Sequence, residues 1–336
     1  MTYRTALRAM FALTLGLFLS ATANAQLFRT YIAPDGNDGN PCTLAAPCRL
    51  LPAALATVID GGEIWMLGSA NYNTGPVNIA KSVTILAVPG ALGSVVAIGG
   101  NAIDIATAGV KVSLRNLVIV PFVGGGGNNG ILMTAGASLT VENCLIANLF
   151  GTGIIANGVM NVLVTDSTVR GNGASGLLLE NGARATVTRT TLSRNANNGI
   201  SVQGSTASTT TADIADSTMS SNNSGVYAYS GIAGAVVKVS VRDSRAIGNV
   251  NYGITAQPNS GASVTVSASN NIISNNSIGI LAQFPGAKVW ASGNTVSDNV
   301  FGLYNSASAL FESAGDNAVR NNSSGNFGVI TPIAKM

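Results

Sequence analysis

The sequence predicts an all-β solenoid, a right-handed parallel β-helix with one coil for roughly every 23 residues. Three observations predict it. A Gly followed by an aliphatic residue recurs as Gly130-Ile131, Gly153-Ile154, Gly176-Leu177, Gly199-Ile200, Gly225-Val226, Gly253-Ile254, Gly279-Ile280 and Gly302-Leu303. The steps are 23, 23, 23, 26, 28, 26 and 23 residues, and Gly325 follows 23 further on. Second, apolar and polar residues alternate with period two inside each repeat, as in Ala185 to Asn195. Third, the chain is rich in Val, Ile and Thr, and Gly and Asn punctuate it as turns would. A leucine-rich repeat would need a Leu-x-x-Leu-x-Leu pattern, and a hexapeptide left-handed helix would need a period of six; neither is present. Parallel strands joined by crossovers are expected to wind right-handed.

Taken from the start, residues 1–25 read as a secretory signal peptide. Arg4 and Arg8 form a basic segment, Met10 to Leu19 an apolar one, and Ala23-Asn24-Ala25 a small-x-small cleavage site. Cleavage is expected after Ala25, and the apolar run is too short for a comfortable membrane span. With Gln26 first and no Cys after the site, neither a lipoprotein anchor nor a transmembrane anchor is expected. The protein is therefore expected to be exported, either periplasmic or extracellular. Residues 26–336 form a single β-helix domain, with 26–100 holding the N-terminal cap and first coils and 101–336 the regular coils.

Charge is sparse: 9% of residues are charged and the formal net charge is +3, or +1 without Arg4 and Arg8. No basic patch argues for nucleic acid, and no nucleic-acid partner is expected. His is absent, so no His base or ligand is available. Cys42 and Cys48 lie close together, and in an oxidising compartment they are expected to close a small disulfide loop. Cys144 is left over and reads as buried apolar filler.

The columns account for the fold. One residue after each Gly the side chains are aliphatic, and two further stand Met133, Ala156, Leu179, Val202, Ala228, Ala256 and Ala282. Alternation puts both columns inside, where like residues of stacked coils touch. An Asn column is read four residues before the next Gly, at Asn172, Asn195, Asn249, Asn275 and Asn321. A further turn column holds Asp166, Asp216, Asp243 and Asp316, with Asn143 and Asn270 in like places. Both are expected to hydrogen-bond turn backbone and to tolerate left-handed conformations. Asp216 and Asp243, with Arg242 and Arg245 beside them, suit ion pairing better than Ca²⁺. The Asp35-to-Asn40 segment starts like a Ca²⁺ loop but lacks Gly at its sixth place and Glu at its twelfth, and a turn is the better reading. The run Gly124 to Gly127 lacks the Lys-Ser/Thr of a phosphate loop and reads as a turn. No cofactor is expected, with Ca²⁺ kept as the alternative.

The segments Tyr31 to Asp38, Pro47 to Leu55 and Gly75 to Ile85, together with the coils, resemble the pectin-lyase-like superfamily. That resemblance implies a capping helix near Arg49 to Ile59 and a working surface on the outer face of one sheet. It also implies a choice of activities, since this fold hosts lyases, hydrolases, epimerases and inert scaffolds. In such lyases the base is a Lys or Arg, often with Ca²⁺ held by carboxylates, and the hydrolases use clustered Asp.

If positions one and three after each Gly point inward, positions two and four point outward. The outer pairs are Leu132/Thr134, Ile155/Asn157, Leu178/Glu180, Ser201/Gln203, Tyr227/Tyr229, Thr255/Gln257, Leu281/Gln283 and Tyr304/Ser306, with Asp104 on an earlier coil. This face carries two carboxylates, Asp104 and Glu180, three coils or roughly 14 Å apart, and no Lys or Arg. Paired-carboxylate glycosidases need about 5–9.5 Å, so catalysis here is disfavoured and no catalytic residue is assigned. Aromatic rings among neutral amides suit sugars instead. The expected binding residues are Tyr227, Tyr229, Tyr304, Gln203, Gln257, Gln283 and Glu180. The three insertions, in the coils starting at Gly199, Gly225 and Gly253, are expected to form loops that wall the Tyr227/Tyr229 region. The expectation is thus an exported β-helix that binds a glycan or cell-envelope partner without catalysis. Its alternatives are a polysaccharide lyase or related enzyme using loop-borne Arg170, Arg184 or Lys238, and a structural surface scaffold.

Overall fold

The computed structural model describes residues 27–334 except 206, 207, 260 and 307. The segment read as a signal peptide, 1–25, lies outside the described residues. Three parallel sheets run the length of the molecule: sheet A with 13 strands and sheets B and C with 11 each. Each coil gives one strand to each sheet in turn. In one coil these are Arg184–Thr188 in A, Thr191–Ser193 in B and Asn198–Gly204 in C.

The Gly repeat is the coil register. Ile131 lies opposite Ile154, which lies opposite Leu177, and the column continues through Ile200, Val226, Ile254, Ile280 and Leu303. All eight are buried, as are Met133 and the residues stacked above it to Ala282. Sheet A contributes a parallel column, among it Leu139, Val162, Val239, Val266 and Phe311, and sheet B another through Ile146, Leu192 and Ile273. These columns form one apolar interior. Every buried aliphatic side chain stabilises the stack by roughly 1.5–3 kcal/mol, and only stacking achieves that burial because one coil has no second layer of its own.

The repeated Gly is needed for close approach. A Cβ on Gly130, Gly153, Gly176, Gly199, Gly225, Gly253 or Gly279 would stand 2.5–2.8 Å from the carbonyl oxygen of the Gly on the next coil. Helix α1, Leu51–Thr57, caps the first coil where a helix was expected, burying Leu51, Ala54 and Leu55. Pro52 suits its first turn, where no N–H partner exists. Cys42 and Cys48 form the expected disulfide beside this cap. Asp38 accepts the N–H groups of Arg49 and Leu50, both at 2.8 Å, so the Asp35-to-Asn40 segment serves the helix entry as a turn.

Two of the three corners are tied by buried ladders. At the A-to-B corner the backbone N–H of each coil donates to a side chain of the next, running from Cys144 to Ser167, Thr190, Ser217, Ser244, Asn271, Asn294 and Asn317 at 3.0–3.5 Å. Cys144 is buried and opens this ladder. Burial pushes its thiol up to about 11, against backbone hydrogen bonds that pull the other way. The residue before each rung takes a left-handed conformation at Asn143, Asp166, Asp216, Asp243 and Asn270, as expected. Arg189 also occupies that place, and Asp316 does not adopt it. Arg242 pairs with Asp243 at 3.6 Å.

The B-to-C corner holds an Asn ladder, and here the expected column needs correction. The buried rungs are Asn172, Asn195, Asn222, Asn249, Asn276 and Asn299, ending at Asn322. Asn275 and Asn321 are instead left-handed residues one place earlier. The reason is geometric. Each rung sits two residues after its sheet B strand, whereas the stretch from rung to Gly is four residues after Asn172, Asn195 and Asn249 but three after Asn222, Asn276, Asn299 and Asn322. Counting back from the Gly therefore lands on the wrong Asn.

The third corner, from C to A, takes the insertions. The turn of the longest insertion runs beside Tyr229, whose hydroxyl a Cβ on Gly231 would meet at 2.6 Å. Part of the added length extends the flanking strands: Ser230 stands one residue beyond the Glu180 position, Val236 and Val237 stand before that of Arg184, and the rest lengthens the turn between them. Extra residues that continue the ladder satisfy their backbone groups, which a projecting loop would leave to water. At the Gly-rich run, Gly124 and Gly126 have φ of 76° and 64°, a turn as expected.

Candidate functional site: the outer face of sheet C

The expected outward residues do share the outer face of sheet C. Parallel register puts Leu132, Ile155, Leu178, Ser201, Tyr227, Thr255, Leu281, Tyr304 and Phe327 in one lane along the axis. Beside it runs a second lane in which Asn157 faces Glu180, Gln203 faces Tyr229, Tyr229 faces Gln257, and Gln283 faces Ser306. One lane is thus mainly apolar and aromatic, and the other amide-rich and polar. The strand period of two produces this split, because residues two apart share a face but occupy different lanes.

Tyr227 and Tyr229 stack on each other, with ring centroids 5.8 Å apart and planes 19° apart. Burial raises the Tyr227 phenol above its ordinary value, with the neighbouring phenols of Tyr229 and Tyr252 adding to the shift. Tyr304 belongs to a second aromatic group that the sequence reading did not find. It stacks on Phe327 at 4.4 Å and meets Phe301 edge-on at 5.2 Å. The signal was present: Phe327, two after Gly325, holds the outward position of the other coils but lies one coil beyond the outer pairs considered, whereas Phe301, one residue before Gly302, falls outside that rule.

Not every outward residue is open. Ser201 and Thr255 have no exposed surface, and Leu281 has 1%. In the register Tyr227 stands between Ser201 and Thr255, and Leu281 between Thr255 and Tyr304, so large neighbours cover small ones. Gln203 is engaged with Ser201 Oγ at 2.9 Å, and Gln257 donates to Gln283 Oε1 at 2.6 Å. The expected fringe of amides is therefore partly tied within the sheet. Thr255 Oγ1 and Ser306 Oγ are buried without a hydrogen-bond partner among the described residues. Glu180 is half-buried, and that burial alone raises its carboxyl above the ordinary range. Asp104 accepts a hydrogen bond from Asn101 at 2.6 Å and lies opposite Leu132, three coils before the Glu180 strand.

The basic residues read as loop-borne are on strands of other sheets. Arg170 ends the sheet B strand Thr168–Arg170, while Arg184 and Lys238 belong to sheet A. None joins the two carboxylates of sheet C. Among the described residues, no group of three His, Cys, Asp or Glu is placed to hold a metal ion.

Comparison with known proteins places the fold. The family described as right handed beta helix region matches over residues 101–268 and again over 152–324, and the chain belongs to that family. The coils therefore wind in the right-handed sense expected. Among solved structures, pectate lyase Pel9A is similar at 18% identity and a TM-score of 0.60, over 86% of this chain and 80% of that one. The Dettilon tailspike protein is similar at 13% identity and 0.60, over 89% and 68%. An alginate lyase from Paenibacillus sp. str. FPU-7 is similar at 12% identity and 0.57, over 91% and 100%. At these identities the likeness shows a shared pectin-lyase-like fold, which is found in polysaccharide lyases and in proteins of other kinds. No curated protein matches the sequence. No helix among the described residues is long and apolar enough to cross a membrane.

Proposed function

We propose that this protein is an exported β-helix that binds a largely uncharged glycan along the outer face of sheet C, without catalysis. The observation that carries the reading is the paired lane structure: an apolar lane through Tyr227, Leu281 and Tyr304 beside a polar lane through Gln203, Gln257 and Gln283. Sugar rings present apolar faces and a fringe of hydroxyls, and such a ligand needs both kinds of surface side by side. Absence of Lys and Arg from this face favours a neutral ligand. Similar proteins named as lyases of pectate and alginate support a glycan over other ligand classes. The Cys42–Cys48 disulfide and the leader-like residues 1–25 support export.

Native gels cast with single polysaccharides test this. The protein starting at Gln26 is expected to be retarded by at least one neutral glycan, and Tyr227→Ala/Tyr229→Ala to lose that retardation. Clearing of the polysaccharide around the band would instead establish an enzyme. A mobility unchanged across the neutral panel would overturn the binding reading.

A further inference from the structure

Beyond the sheet C reading, the B-to-C corner carries a pattern that its ladder does not account for. The residue directly after each rung lies on the outside, because the rung fills the inside of the corner. In most coils that residue is small or polar: Gly173, Ala196, Asn223, Ser277 and Ser323 follow Asn172, Asn195, Asn222, Asn276 and Asn322. Three coils differ. Phe150 follows Leu149, the first residue whose N–H donates into the ladder, while Val250 and Val300 follow Asn249 and Asn299. Phe150 is 69% exposed, Val250 71% and Val300 48%. One coil before Phe150 the same corner is the Gly-rich turn, which opens with exposed Phe122 and Val123. The apolar tips extend over seven coil steps, roughly 34 Å along the axis.

The ladder keeps these tips outward. The Val250 N–H donates to Asn222 O at 2.9 Å, and the Asn249 side chain before it donates to Met219 O at 3.2 Å and Asn276 Oδ1 at 2.9 Å. Charge around them is one-sided. Along sheet B and this corner, from Leu117 to Gly325, the described residues carry Arg170, Arg194, Arg245 and Arg320 against one acid, Asp298. None of the four arginines forms an ion pair among the described residues. Arg170 ends its sheet B strand at the corner, and Arg194 stands in the corner itself, directly before the rung Asn195. Both lie between Phe150 and Val250 along the axis.

We propose that this corner is a docking edge for the surface of an anionic phospholipid bilayer, on which the protein lies without spanning it. Exposed apolar side chains beside cations are what an interfacial contact needs: the tips enter the boundary between headgroups and acyl chains, and the cations attract the anionic surface. Arg170 and Arg194 are placed to meet lipid phosphates between the tips, with the planar fork that pairs with phosphate through parallel hydrogen bonds. A protein partner fits this edge less well. Interface anchors cluster at the centre of a patch, whereas Phe150 and Val250 are four coils apart on a convex corner, roughly 19 Å. A fluid surface needs no matching pocket for each tip. Asp298, exposed directly before the rung that precedes Val300, opposes the same surface and so reports on its charge.

The test is flotation of the protein starting at Gln26 with vesicles of phosphatidylethanolamine and phosphatidylglycerol, against vesicles of phosphatidylcholine alone. Partition onto the anionic vesicles is expected to be about tenfold stronger or more, and to weaken as salt rises. Phe150→Ser/Val250→Ser is expected to lower it about tenfold, and Arg170→Gln/Arg194→Gln at least about fivefold. Arg170→Lys/Arg194→Lys is expected to keep it, and Asp298→Asn to raise it about twofold. All of these side chains are exposed or half-buried, so melting temperatures are expected to match the wild type, which separates loss of docking from loss of fold. Val250→Trp is expected to shift its emission to the blue on anionic vesicles and to be quenched by brominated lipid. Tyr227→Ala/Tyr229→Ala is expected to float as the wild type does, and Phe150→Ser/Val250→Ser to keep its retardation in neutral glycans, so the edge and the sheet C site stand or fall separately. Absence of the wild type from the floated fraction, equal flotation of Phe150→Ser/Val250→Ser, or equal partition onto phosphatidylcholine would each overturn the proposal. So would a dimer in solution that Phe150→Ser/Val250→Ser abolishes, which would make a second copy the occupant of this edge.

Discussion

The corners of each coil make an instructive contrast. The A-to-B and B-to-C corners are closed by buried ladders, while the C-to-A corner has none and takes nearly all of the length variation. At the B-to-C corner, Asn222 Oδ1 accepts from both the backbone and side chain of Asn195, and its own amide donates to Leu192 O and Asn249 Oδ1. Such a rung cannot move along the chain without breaking bonds on both neighbouring coils. At the C-to-A corner some added residues extend the flanking strands in register and the rest lengthen the turn between them. Tolerance to insertion thus follows from where the backbone groups of a corner find their partners.

The largest expected effect tests that contrast directly. A four-residue Gly-Ser insertion between Arg194 and Asn195 would strip the hydrogen bonds of a buried rung and cost on the order of 4 kcal/mol or more. The same insertion between Asn181 and Gly182 lengthens a corner that already grows in the next coils, and is expected to cost about 1 kcal/mol. Thermal melts of the two proteins compare them, and equal losses would break the account.

Next in size is the rung itself. Asn222→Ala leaves buried groups unpaired on two coils and is expected to cost on the order of 3 kcal/mol. Asn275→Ala, one of the residues misassigned to the ladder, only removes a residue suited to φ of 57° and is expected to cost about 1 kcal/mol. Comparable melting points for the two would show that the ladder carries no special weight.

Glycines sharpen the comparison further. Gly253→Ala would drive a Cβ to 2.5 Å from the Gly279 carbonyl, an overpacking expected to cost about 2 kcal/mol. Gly261, at the C-to-A corner, has φ of 75° and no heavy atom nearer than 3.8 Å to a Cβ. Its change to Ala is expected to cost about 1 kcal/mol, through conformation alone. Urea midpoints read the difference.

The smallest effect lies on an exposed turn. The Arg189 guanidinium, helped by the Thr165 hydroxyl, holds the Asp166 carboxyl down at about 2, against an ordinary 3.8. A carboxyl depressed by folding stabilises above its unfolded value and stops doing so as pH falls through the folded one. The contribution is therefore present above pH 4 and lost between about 4 and 2. It is expected to be slight because both partners are exposed, and Asp166→Asn should flatten that acid limb in melts taken across it.

How far the sequence could be read depended on periodicity. Coil register, both interior columns beneath sheet C and the disulfide were legible because each repeats or sits in a short local pattern, and the cap followed from the family resemblance. The Asn ladder was only half legible, since its spacing to the next Gly varies by one residue. The A-to-B ladder was not legible, because Cys, Ser, Thr and Asn share its rungs and only geometry shows their common role. On the outer face the lanes were implicit in the outer pairs, but the engagement of Gln257 with Gln283 and the covering of Thr255 depend on side-chain packing.

By itself the sequence determined the solenoid: a recurring Gly with aliphatic residues at fixed offsets leaves stacking as the way to bury them. Outside the columns keyed to that Gly, the tertiary structure decided which residues of different coils meet. Parallel register brought Arg184, Lys238 and Lys288, at least 50 residues apart, into one column two coils apart, and moved the same basic residues away from the carboxylates of sheet C. That assignment depends on how many residues each C-to-A corner absorbs before the next strand begins, a length that no local pattern encodes.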